Sequence, residues 1–123
     1  MFHKECRQKT PILEAKSWIK KQGYETRMLA DAGDLNVSGT EVQLVRFYQG
    51  KVSHHHKRKT EFFYFTAGTG YVVIDRQQKI ELAPGSELLV KPCTYHEFVN
   101  ENTAPLEAIM FKTNSTLNDT FIH

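Results

Sequence analysis

From Thr40 onwards, polar and apolar side chains alternate with a period of two along short runs broken by glycine or proline. That period sends successive side chains to opposite faces of an extended backbone, so each run reads as a half-buried strand. The runs are Glu41 to Tyr48, Val52 to His56, Glu61 to Thr66, Gly70 to Asp75, Lys79 to Leu82, Glu87 to Lys91, Tyr95 to Asn100 and Leu106 to Lys112. Turns fall at Gly50, Gly68, Gly70, Pro84-Gly85, Pro92 and Pro105, with no helix-length segment between the runs. The pattern predicts an all-β antiparallel sandwich or small barrel and argues against βαβ units. The first third of the chain differs. Thr10 and Pro11, then Ile12, Leu13, Ala15, Trp18 and Ile19, then Lys20 and Lys21 before Gly23, carry the cap, apolar spacing and closing glycine of a helix over 11–22. Asp31 to Asn36, Ser38 and Gly39 are loop chemistry.

A length of 123 residues suits one domain with one core, divided by the pattern into an arm and helix at 1–36, strands at 37–113 and a tail at 114–123. A net charge of +2, with Lys57-Arg58-Lys59 as the nearest thing to a basic run, argues against nucleic acid as a partner. No stretch approaches the ~20 apolar residues needed to cross a bilayer, and the first six residues lack a signal peptide's apolar run. No membrane partner and a cytoplasmic location are therefore expected. Cys6 and Cys93 form neither a CxxC pair nor a disulfide framework and are expected to be reduced.

The candidate chemistry lies in the histidines. His54, His55 and His56 fall on one predicted strand, so His54 and His56 share a face and His55 points to the other. Two imidazoles at that spacing can share one ion. Glu61 opens the next strand and can return its carboxylate to the same face if the two strands form a hairpin, while His96 is a fourth candidate once a barrel closes. Three imidazoles and one carboxylate suit one divalent transition metal, Fe, Mn, Ni, Co, Cu or Zn, with about two positions left for water, dioxygen or a chelating ligand.

Gly50, His54, His56, Glu61 and Gly68 closely resemble the first motif of the cupin superfamily, and Gly85, His96 and Asn100 its second. Two departures stand out. Gly50 is two residues nearer the histidines than usual, and in Lys91-Pro92-Cys93-Thr94-Tyr95 the proline is displaced by one, with Cys93 in place of the turn glycine. The likeness spans Val37 to Lys112. It implies a cupin double-stranded β-helix, a jelly-roll-like conical barrel, with His54, His56, Glu61 and His96 as the ligands of an ion near its mouth. Cupins resembling this chain include dioxygenases acting on diketones, flavonols or thiols, phosphosugar isomerases and epimerases, and small lyases. The stretch around Ser53 to Glu61 and Thr66 to Thr69 is locally similar to type II mannose-6-phosphate isomerases. Small cupins also pair through edge strands; Tyr24 to Leu29 alternates and offers such an edge, so a homodimer is expected.

Alternation places Phe63 and Phe65 on the face of Glu61, and Phe98 on that of His96, as an aromatic inner wall against which a small-molecule ligand would lie. Arg46 and Tyr48 share a face with Val42 and Leu44, and Arg46 is a candidate clamp for a substrate carboxylate or phosphate. Cys93 is expected to be a small buried residue. Two function classes stay open: a metal-dependent enzyme acting on a small oxygen-containing metabolite, by oxygenation or isomerisation, and a non-catalytic module that binds or senses a sugar or similar ligand.

Overall fold

The computed structural model describes residues 12–116 and 119–122. The strands, in chain order, are β1 (Ile19–Lys20), β2 (Tyr24–Ala30), β3 (Glu41–Phe47), β4 (Gly50–His56), β5 (Thr60–Ala67), β6 (Gly70–Ile74), β7 (Gln78–Leu82), β8 (Glu87–Val90), β9 (His96–Asn100), β10 (Leu106–Thr113) and β11 (Thr120–Ile122). One helix, α1 (Ala32–Leu35), joins β2 to β3. Two antiparallel sheets form, one in the order β1-β2-β3-β10-β5-β8 and the other in the order β11-β4-β9-β6-β7. All eight runs legible in the sequence appear as strands, with ends shifted by at most two residues.

The alternating pattern fixes which faces meet. On β5, Glu61, Phe63 and Phe65 are buried while Phe62, Tyr64 and Thr66 are exposed, and β10 follows the same rule with Leu106, Ala108 and Met110 inside. Phe65, Val72 and Leu106 have no measurable exposure. Phe98 stacks on Phe47 at 4.4 Å between ring centroids and meets Phe63 at 5.1 Å, which joins the sheets through rings. Gly68 makes the turn after β5 with φ +77°, and a Cβ there would collide with the Pro105 carbonyl, so this position admits only glycine without a backbone shift.

The expected helix over 11–22 does not form in its described part. Residues 12–18 are irregular, and Ile19 and Lys20 pair with Thr26 and Glu25 across the turn at Gly23. An isolated three-turn helix is marginal in water, and its apolar face finds no partner: Ile12 is 99% exposed. Strand pairing satisfies the backbone instead. The short helix of this region is α1, where Asp31 accepts from the Asp34 amide and the Asp34 carboxylate accepts from the Asp31 amide, closing a capping box. Pro11 and Cys6 lie outside the described residues.

The sheets run past the expected strand core of 37–113 at both ends, through β1, β2 and β11. Tyr24 to Leu29 is an edge only in part, because the two-residue β1 pairs with Glu25 and Thr26 while β3 takes the other side of β2. Replacing Phe65 with alanine should cost about 3–5 kcal/mol, since nothing nearby can close the void left by a fully buried ring. A urea titration reads this as a lower midpoint; a change within error would mean that the two sheets do not depend on this ring.

Candidate metal centre

β4 pairs with β9 so that His54 and His96 stand directly opposite each other, and both point inward. His56 lies two residues further along the same inner face. One ligand nitrogen from each of the three rings lies within 4.8 Å of the others. Glu61 arrives from the opposite sheet: β4 and β5 do not form the expected hairpin, β4 pairing with β9 and β11 and β5 with β8 and β10. Its Oε1 is 3.0 Å from His56 Nε2 and 3.7 Å from His96 Nε2. The four side chains therefore meet across the core, and all are at least 93% buried. His55 faces outward as expected and stacks on Phe121 at 4.9 Å.

Contacts behind the rings set their orientation. His96 Nδ1 lies 3.1 Å from the Thr94 carbonyl and His56 Nδ1 3.3 Å from the Asp119 carbonyl. A carbonyl only accepts, so the Nδ1 of His96 carries the proton and its Nε2 turns a lone pair to the cavity, while His56 Nδ1 also meets the Thr120 hydroxyl at 3.2 Å, which can donate or accept. No hydrogen bond reaches Glu61 Oε1, although the atom is buried and His56 Nε2 is close. A buried carboxylate oxygen without an aligned donor is destabilising unless a cation sits beside it. That is the arrangement a divalent ion requires, and the donor set fits one.

Electrostatics agree with this. Burial lowers His54 to about 3, helped by His96 and His56 and opposed by Glu61. Burial also lowers His96 against the pull of Glu61. For Glu61 burial acts upward, but contact with His56 and the fields of His56, Lys112 and His96 outweigh it and hold the carboxyl down to about 2. Near neutral pH the site therefore presents neutral His54 and His96 and an ionised carboxylate, ready for a cation.

Around these four groups lies a cavity of about 600 Å³. Phe63 and Phe98 line it as expected, but Phe65 is in the core beyond it. Arg46 and Tyr48 do not line it. Arg46 projects from the outer sheet face, its guanidinium 3.9 Å from the Trp18 ring and its Nη1 3.3 Å from Glu25 Oε1, and Tyr48 is 43% exposed. On β3 the inward parity belongs to Gln43, Val45 and Phe47. Cys93 is exposed rather than buried, because it takes the left-handed turn position at φ +65° that the motif reserves for glycine. Its amide donates to the His56 carbonyl at 2.6 Å and ties the turn before β9 to the end of β4. Asn100 braces the next turn, donating to the Phe47 and Ala104 carbonyls and accepting from the Asn102 amide.

Sequence reasoning missed Tyr24, Lys59, Lys112 and Asp119, all of which line the cavity. Lys112 was within reach of it, since Leu106, Ala108, Met110 and Lys112 share one parity on β10. Tyr24 packs its ring 5.2 Å from that of His54, and burial, with Glu61 nearby, raises its hydroxyl to about 12.

A family model described as a cupin domain matches residues 43–112. The chain belongs to the cupin family. No curated protein sequence matches it significantly. Among solved structures this cupin is similar to ectoine synthase from P. lautus, with a TM-score of 0.71 and 13% identity over 86% of this chain and 80% of that one. It is also similar to a sugar phosphate isomerase of the cupin superfamily from Silicibacter pomeroyi DSS-3, with a TM-score of 0.65 and 20% identity over 89% and 87% of the two chains. A third similar structure is KdgF from Halomonas sp., with a TM-score of 0.64 and 22% identity over 79% and 87%. At these identities the likeness is one of fold. No helix among the described residues is long and apolar enough to cross a membrane.

The lowered groups set a pH dependence. His54 binds a proton near 6.5 when unfolded but only near 3 when folded, and Glu61 near 4.5 when unfolded but near 2 when folded. In each window the unfolded chain holds more protons, so stability falls as pH falls. The metal-free cupin should keep its full urea midpoint above about pH 6.5 and lose it progressively towards about pH 3. A midpoint that is flat or rises over that interval would contradict the site electrostatics.

Proposed function

We propose that this cupin holds one divalent transition ion through His54, His56, His96 and Glu61 and acts there on a small oxygen-containing metabolite. The observation that carries the reading is the buried Glu61 oxygen, without an aligned hydrogen bond, beside three clustered imidazoles at one side of a cavity large enough for a small ligand. The ion, Fe, Mn, Ni, Co, Cu or Zn, would supply Lewis-acid or redox chemistry to an oxygen-bearing ligand. The chain's own residues hold its ligands in place: the Thr94 carbonyl fixes the tautomer of His96, and the Asp119 carbonyl and Thr120 hydroxyl orient His56. Phe63 and Phe98 make one wall of the cavity apolar and limit the water around it. Tyr24, protonated at neutral pH, can donate a hydrogen bond to a ligand oxygen. The fold is shared with a sugar phosphate isomerase, which supports isomerisation as one branch; a donor set that also suits iron supports oxygenation as the other.

Metal analysis of the purified protein should find about one divalent ion per chain. His56→Ala and His96→Ala should each lose most of it, and His55→Ala should keep it; equal losses in all three would overturn the assignment. Turnover is read by oxygen uptake with diketones, thiols and phenols on the iron-loaded protein, and by isomerisation of phosphosugars on the manganese- or zinc-loaded protein. Ligand binding without turnover in every assay would favour the sensing module.

We further propose that the protein pairs with a second copy, through the outer face of the six-stranded sheet rather than through a strand edge. Phe62, Tyr64, Leu89, Ile109 and Phe111 stand exposed on three neighbouring strands, with Phe62 opposite both Leu89 and Phe111, and Tyr64 opposite Ile109. A contiguous apolar face of this kind can be buried against its own copy about a two-fold axis. Light scattering should give twice 14.2 kDa, and Phe111→Glu should return the mass to 14.2 kDa. A monomeric parent protein would remove the proposal.

A further inference from the structure

Three lysines, Lys21, Lys59 and Lys112, and three carboxylates, Glu41, Glu61 and Asp119, line the cavity. Their formal charges cancel, so a divalent ion beside neutral imidazoles would leave two positive charges uncompensated. The carboxylates are already matched to the lysines in charge, and Asp119 and Glu41 are engaged by other donors. Asp119 accepts hydrogen bonds from the amides of Lys57, Arg58 and Lys59. Glu41 accepts from Gln43 Nε2 and Ser115 Oγ. Glu61 faces the imidazoles.

The two deeper lysines are poorly satisfied. Among the described residues, the Lys112 ammonium has Glu61 Oε2 at 3.9 Å as its carboxylate contact, and the Lys59 ammonium reaches Thr120 Oγ1 at 3.4 Å. Lys59 is 5% exposed and the Lys112 side chain 13%. An ammonium carries three donors and is costly to bury without acceptors. Lys112 leaves β10 opposite Glu61 of β5, and Lys59 immediately precedes β5, so both amines belong to the wall that carries the carboxylate of the metal centre.

We infer that the ligand of this cavity is anionic: a small molecule with a carboxylate or phosphate group held by Lys59 and Lys112 while an oxygen at its other end reaches the ion. The inference rests on the metal-centred reading and narrows its substrate class. Neutral sugars, diketones and flavonols offer oxygen acceptors but no charge to compensate the ammonium groups, whereas an oxyanion supplies both.

Calorimetry on nickel-loaded protein tests this with malonate, its neutral counterpart malonamide, and inorganic phosphate, against Lys59→Met and Lys112→Met. The parent should prefer malonate or phosphate to malonamide by about tenfold or more, and each substitution should weaken the preferred anion by about tenfold while leaving malonamide unchanged. Lys59→Met should retain the nickel content of the parent, since Lys59 touches none of the four metal-centre side chains; a loss in Lys112→Met alone would be read through its contact with Glu61. The anion weakened by the substitutions identifies the group as carboxylate or phosphate. Equal affinity for malonate and malonamide, or substitutions without effect on either anion, would overturn the inference. A parent that takes up no nickel would instead overturn the metal-centred reading, and the two failures are told apart by metal content alone.

Discussion

The architecture turns on one contact between the sheets: a buried carboxylate oxygen from β5 set against imidazole nitrogens from β4 and β9. Without a cation the carboxylate oxygen lacks an aligned donor in a low-dielectric core, where burial disfavours both its charge and the protonation of His54 and His96. The surrounding fold holds it anyway. Phe98, stacked on Phe47 and tilted against Phe63, clamps the sheets together just beneath it, and carbonyls behind His56 and His96 help hold the rings in place. Packing energy is thus spent on a site that is poised before any ion arrives.

Much of this was legible in the chain. Strict alternation located eight strands, because a side chain on the wrong face of a sandwich must bury a charge or expose a ring. The same parity separated His54 and His56 from His55. What failed were inferences about long-range partners. The segment at 12–20 has helical spacing, yet spacing says nothing about whether a second surface exists for the apolar stripe to cover, and here Trp18 lies against Arg46 instead. Arg46 looked available to a ligand because its neighbours Val42 and Leu44 are apolar; those residues in fact share its outward parity and are half-buried. Glu61 meets the histidines without the hairpin that adjacency in sequence offered, since the chain crosses to the other sheet.

Cys93 shows how a motif departure can preserve geometry. The family pattern implied a glycine in the turn before β9, and the cysteine there adopts the same left-handed conformation, at a strain that glycine would avoid. Its short amide bond to the His56 carbonyl helps hold it, so His96 still emerges opposite His54. The altered residue changes the surface and leaves the interior as it was.

The Asp119 carboxylate gathers three successive amides of the link between β4 and β5. Main-chain groups, not side chains, therefore specify the course of that link, and the identities of Lys57 and Arg58 carry little structural information. Those two positions are open to drift, and a lineage could recolour the rim of the barrel there while one distant acid keeps the spacing between His56 and Glu61 constant.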